Sequence, residues 1–180
     1  MAVTNNTPNN INFASPLKFG FQVKKLPNIN FFCQAVTMPG MSVQAFQSPT
    51  PFVKLPVPGD HVDFQELILT FRVDEDMKNY LEIFNWLMAL GFPENFDQYK
   101  ALADKDKRLN PLASGEDGIY SDANLIIQNS AAVGNLRVDF VNLFPVSLSE
   151  LQFDTRQTDV EYLECIASFA FERFSITTKL

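Results

Sequence analysis

The stretch from Phe64 to Tyr80, FQELILTFRVDEDMKNY, most narrows what this chain can become. Leu67, Leu69, Phe71 and Val73 alternate with Ile68, Thr70 and Arg72, the period-two mark of a strand with one buried face. The period then changes with no loop between. Three acids, Asp74, Glu75 and Asp76, precede Met77, Tyr80, Leu81, Phe84, Leu87 and Met88 at three- and four-residue spacing. This predicts a helix over 74–90 with that apolar stripe inward and Asp74 as N-cap, the acids sitting where the macrodipole favours them. Gly91 is expected as its left-handed terminator, with Pro93 blocking continuation. Val62 and Phe64 fall in the opposite phase, so the predicted strand Val62–Val73 carries a bulge near Gln65–Glu66.

The flanks read as β. Phe19, Phe21 and Val23 alternate with Gly20, Gln22 and Lys24; a turn over Lys25–Asn28 then leads to a predicted strand Ile29–Met38, the two forming a hairpin. Pro39-Gly40 ends that strand. The next segment carries Pro49, Pro51, Pro56 and Pro58 before Gly59-Asp60. Proline removes ladder donors, so it is expected as a long extended excursion with a short edge piece at Ser42–Phe46, a contact arm rather than a central strand. Residues 93–121 read as irregular, with a short helix near Phe96–Ala103. Asp122–Gln128 and Asn135–Phe144 predict a hairpin turning at Gly134. Pro145–Asp154 reads as a connection, and Asp159–Ile176 as one long last strand, apolar on both faces and buried on both sides.

At 180 residues, 46% of them apolar, the chain can bury roughly 70% of its unfolded surface in a single domain. Phe is abundant at 18 and Gly scarce at 7, which suits sheet faces better than helix seams. The expected fold is mainly β: two packed antiparallel sheets, a sandwich or barrel spanning 17–180, with one flanking helix and a polar flexible arm over 1–16. The apolar runs are only strand-length, so no membrane anchor is expected.

A formal charge of −7 argues against a phosphate-gripping surface. The densest basic run, Lys105-Asp106-Lys107-Arg108, has acidic neighbours and reads as a solvated loop. Cys33 and Cys165 are distant in sequence and read as reduced, buried residues; a disulfide requires their strands to be neighbours. His61 is the sole histidine. That excludes multi-histidine metal sites and leaves one candidate base with no recognisable nucleophile setting. The acids 74–76 lack the glycine and spaced donors of a calcium loop, and Gly115-Glu116-Asp117-Gly118 is too short and acidic to cradle phosphate. Trp86, in the predicted helix, reads as packing. No catalytic, cofactor or metal residue is assigned, and the chain reads as an assembly protein rather than an enzyme.

The order of these elements resembles the tail tube family of contractile-tailed bacteriophages and related contractile injection particles, over about residues 17–177. The features that carry it are Phe19-x-Phe21-x-Val23, Phe32-Cys33-Gln34, Pro39-Gly40, the long loop ending at Gly59-Asp60 and the strand and helix from Phe71 to Trp86. Phe144-Pro145, Leu151-x-Phe153-Asp154 and the terminal strand to Phe174 complete it. The resemblance implies hexameric rings stacked into a hollow tube inside a sheath, ending on a baseplate. It also implies synthesis in a host cytoplasm, a place in the virion, and DNA passing unbound through an acidic lumen. Pro39, Gly40, Pro58, Gly59 and Asp60 are the candidate assembly contacts. A tube-initiating or tube-end ring of the same fold is the nearest alternative. A monomeric ligand-binding β-barrel and a hydrolase using His61 are alternatives from other classes.

Overall fold

The computed structural model describes residues 12–91, 119–154, 156 and 162–178. They form nine strands and two helices: β1 (Phe19–Val23), α1 (Pro27–Phe32), β2 (Cys33–Thr37), β3 (Met41–Pro49), β4 (Lys54–Phe64), β5 (Leu67–Arg72), α2 (Lys78–Gly91), β6 (Ser121–Gln128), β7 (Gly134–Leu148), β8 (Glu164–Ala170) and β9 (Arg173–Thr178). Strand pairing is antiparallel throughout. The mainly β reading stands, as does the hairpin of β6 and β7, which opens on Gly134 opposite Gln128.

The long strand β7 organises the body. Its first part lies between β6 and β9, giving one limb in the order β1-β6-β7-β9; Phe144–Leu148 pairs with β8, giving a second limb, β7-β8-β5-β2. Asn142 at the junction has φ 56°, and the β6 register shifts beside it. Asparagine tolerates this left-handed geometry, and such a bulge bends a strand out of one sheet into another.

The two limbs and both helices share one core. In the second limb Leu67, Leu69 and Phe71 face Phe169, Ala167 and Cys165 across the β5–β8 pair, and all six are fully buried. In the first, Phe21 pairs with Leu125, which pairs with Val138, and Ala123 pairs with Phe140. An aromatic corner joins the limbs: Phe140 lies 5.2 Å from Phe171, and Phe174 lies 5.4 Å from Phe64 at the root of β4.

Several expectations are corrected. β1 pairs with β6 and β2 with β5, so the first two strands are not a hairpin. Ile29–Phe32 is helical because Pro27 presets the first turn, Asn30 Oδ1 accepts the Val23 N–H at 2.9 Å, and Ile29 plugs the core. Val62 and Phe64 belong to β4 and Leu67 onward to β5, so Gln65–Glu66 separates strands of different sheets rather than making a bulge. β7 continues through Pro145, where the β8 register shifts, and no connection begins there. The last strand is two, β8 and β9, divided at Phe171–Glu172, which explains apolar residues in both phases. The helix near Phe96–Ala103 lies outside the described residues.

Helix α2 differs in start and in facing. It begins at Lys78, and Asp74 lies before it as part of a turn whose carbonyl accepts the Met77 N–H at 2.8 Å. Asn79 does the stitching: fully buried, it donates to the Arg72 carbonyl at 2.7 Å and accepts from the Asp74 and Tyr80 N–H groups. That fixes Asn79, Ile83, Trp86 and Ala89 inward. The stripe expected inward is centred nearly half a turn away: Leu81 and Phe84 are exposed, and Tyr80 and Leu87 reach only the margin of the core. Gly91 is the last helical residue and not a left-handed one after it.

Candidate assembly surfaces

Open sheet edges are the first feature. In the first limb β1 and β9 each lack a strand partner on the outer side among the described residues, and in the second limb β2 does. Neither limb closes into a barrel, which removes the basis for an enclosed ligand barrel. An exposed edge is a pairing template that a stable subunit must cover or use. Ile176 of β9 lies in phase with core-facing Phe174, yet it is 51% exposed, with no strand among the described residues flanking that edge.

The second feature is the β3–β4 hairpin, the form taken by the proline-rich excursion. All of Met41–Pro49 is exposed, and the hairpin meets the body mainly through Phe64. Pro49, Pro56 and Pro58 are tolerated because, among the described residues, both strands have open outer edges. Two-stranded ribbons are marginal in water alone, and this one carries Phe46, Phe52, Val53, Leu55 and Val57 all substantially exposed. The Val53, Leu55, Val57 alternation was visible in the sequence but masked by the intervening prolines.

The structure brings all five candidate contact residues onto this hairpin. Pro39-Gly40 is its neck: Pro39 is buried, and the Gly40 carbonyl accepts the Gln65 N–H at 3.0 Å. Pro58, Gly59 and Asp60 sit at a mid-length irregularity where Gly59–His61 face Gln44. A Cβ on Gly59 would lie 2.6 Å from the Gln44 carbonyl oxygen, so glycine is required by close backbone approach. His61 Nδ1 lies 2.6 Å from Asp60 Oδ1, both side chains almost fully exposed. The pair makes an outward polar corner.

The two faces of the first limb differ sharply. One is the core. The other carries Gln22, Asn124, Asp139 and Ser175 in one row and Gly20, Ile126, Arg137 and Thr177 in the next. Lys24 pairs with Asp122 at 2.9 Å and Arg137 with Asp139 at 2.7 Å on this face.

No group of three metal-ligating side chains occurs among the described residues, and no helix among them is long and apolar enough to cross a membrane. An open apolar groove of about 360 Å³ is lined by Leu87, Leu90, Tyr120, Phe144 and Pro145, beside Gly91 and Ile119. Cys33 and Cys165 both lie opposite Phe71, on strands either side of β5. Two strand spacings, roughly 9–10 Å, are too far for a disulfide, and both thiols are free.

This architecture, two limbs sharing a long bent strand with a helix on the core and a projecting ribbon, is the tail-tube-like β fold. The chain is similar to one in the anti-feeding prophage baseplate, with TM-score 0.61 at 11% identity over 93% of this chain and 97% of that one. It is also similar to a chain of the anti-feeding prophage tube-terminating cap, with TM-score 0.56 at 16% identity over 99% and 100%. A third is in the sheath/tube terminator of an extracellular contractile injection system, with TM-score 0.55 at 18% identity over 94% and 100%. No protein-family model and no curated protein sequence matches the chain.

Proposed function

We propose that this protein is a ring-forming structural subunit of the tube of a phage tail or related contractile injection particle. The carrying observation is the four-stranded limb with two open edges. Three antiparallel pairings separate β1 from β9, so these edge strands run in opposite directions. The β9 edge of one copy therefore meets the β1 edge of the next as a continuing antiparallel pair, and the half-exposed Ile176 gains a cover. The contact is heterologous and closes by rotation.

The direction of closure follows from the faces. Each body lies on the apolar side of its limb, so a closed ring has the bodies outside and the polar face inside. Six copies, as in the six-fold symmetrised baseplate of the similar chain, join roughly 24 strands into a barrel about 37 Å across before strand tilt widens it. The nine-residue strand β3 reaches about 30 Å, enough for the hairpin to dock its apolar tip on a copy in the adjoining ring. The exposed Leu81 and Phe84 of α2 offer a further contact for a neighbour, and sheath and baseplate proteins are the outer partners.

A terminal or initiating ring is the second reading, favoured because the similar chains include ones from a baseplate, a cap and a terminator. Negative-stain microscopy and sedimentation of purified protein over a concentration series separate the two. Long tubes are expected for a trunk subunit, and single rings for a terminal one. A strictly monomeric species at high concentration, even with tail partners added, defeats both.

A further inference from the structure

The overall charge suggests an acidic channel, yet among the described residues the face placed inward carries no excess of carboxylates. Its carboxylates are Asp122 and Asp139, with Glu172 at the margin, and each is bonded to a cation: Lys24, Arg137 and Arg173 respectively. Lys18, in phase with Gly20 and Gln22, adds a fourth cation, held to the Ser130 carbonyl at 2.6 Å. The cations keep solvent access, with the Lys24 side chain 55% and the Arg137 side chain 43% exposed. Between the ion pairs the described residues are neutral, among them Gln22, Asn124, Ile126, Ser175 and Thr177. Other described acids lie elsewhere, among them Asp60 and Asp63 on the hairpin, Asp74 to Asp76 before α2, and Glu150 and Asp154 after β7. Screening at physiological salt acts over about 8 Å, so charges on the far side of a packed sheet contribute little to the potential at this wall.

We propose that this face is a charge-compensated channel wall with a slight cationic excess, fitted to conduct a polypeptide rather than a nucleic acid. The proposal rests on the ring reading above. DNA presents a phosphate every few ångströms, and each phosphate that takes a lysine or arginine from its carboxylate partner releases counterions. Repeated around every ring, those exchanges hold a polyanion in place. A polypeptide of mixed charge meets both signs and hydrogen-bonding neutral groups, and no single contact dominates its passage.

The test uses assembled rings or tubes, first verified by microscopy. If wild-type protein forms none, the ring reading fails and the wall is not at issue. With tubes in hand, three fluorescent probes are partitioned: a linear single-stranded oligonucleotide, a covalently closed single-stranded circle too large to enter, and an unfolded polypeptide of near-zero net charge. The linear oligonucleotide is expected to be retained at 50 mM salt and to lose roughly tenfold or more by 200 mM, as about three phosphate contacts per strand require. The circle stays out and the polypeptide enters without retention. Lys24→Gln with Arg137→Gln abolishes the retention, and Asp122→Asn with Asp139→Asn strengthens it; either pair suffices if the other disturbs assembly. Exclusion of the linear oligonucleotide from wild-type tubes, retention insensitive to salt, or equal binding of the circle overturns the proposal.

Discussion

Gly59→Ala separates the hairpin's part in assembly from any part in folding. The added Cβ meets the Gln44 carbonyl oxygen at 2.6 Å and Phe46 Cε2 at 3.3 Å. The first neighbour is backbone and cannot swing aside, so the ribbon must change its course at mid-length. Overpacking of this kind costs about 1–3 kcal/mol. In an isolated subunit little of that reaches the core, because β3 is exposed along its whole length and the ribbon is anchored only near Phe64. The expected result is a denaturant midpoint close to wild type. In the assembled tube the tip no longer fits its seat, and 1–3 kcal/mol per contact raises the threshold concentration for pelletable assemblies by about 5- to 150-fold. Gly91→Ala is the control: its Cβ meets nothing within 4 Å, so a glycine-to-alanine change there leaves the threshold unchanged. Pelleting over a concentration series, with denaturant melts on the same samples, reads both quantities. An unchanged threshold with a sharply lowered midpoint would refute the reasoning, because the ribbon would then belong to the folding unit.

Further outcomes concern the body. Leu69→Ala, at a fully buried site opposite Ala167, should cost about 2.7–5 kcal/mol by chemical denaturation; a loss under 1 kcal/mol would mean the core is not packed as described. Asn79→Ala removes the groups serving the Arg72 carbonyl and the Asp74 and Tyr80 N–H groups, and should cost about 2–4 kcal/mol, with exchange protection lost first at the start of α2. Burial raises Glu82 above its ordinary 4.5, while the hydrogen bond from Asn28 opposes the rise. The folded state therefore holds that proton more tightly than the unfolded chain. The stability this adds is complete below 4.5 and lost as pH climbs through the raised value. Glu82→Gln should raise the unfolding free energy at pH 7 by less than about 1 kcal/mol and leave it nearly unchanged at pH 4, as read from denaturant melts; the reverse order would contradict this. Burial pushes the Cys33 thiol up to about 11, so at pH 8 only about one in a thousand is ionised. Alkylation of native protein should be slow and reductant should not alter its melt, whereas rapid labelling would contradict the placement of β2.

Alternation along a strand reports which residues face a core, and residue order is enough to read it. Leu67, Leu69 and Phe71, the β6–β7 hairpin opening on Gly134, and the existence of a helix reaching Gly91 were all legible from period and turn chemistry. So was the peripheral character of the proline-rich excursion. The two Pro-Gly turns that hold the five candidate contact residues were visible as turn signals, but their gathering onto one ribbon was not.

Alternation does not say which strand lies alongside, because that is settled by contacts distant in sequence. Tertiary structure decided that β1 takes β6 and β2 takes β5, and that β7 bends at Asn142 to serve both limbs. It also decided that Phe171–Glu172 divides two strands. The facing of α2 is the sharpest case. Both Ile83–Trp86 and Leu81–Phe84 are apolar at helical spacing, and the buried hydrogen bonds of Asn79 to the end of β5 chose between them. The observed facing gives the Arg72 carbonyl and the Asp74 N–H their partners and buries Ile83 and Trp86, at the cost of leaving Leu81 and Phe84 in water.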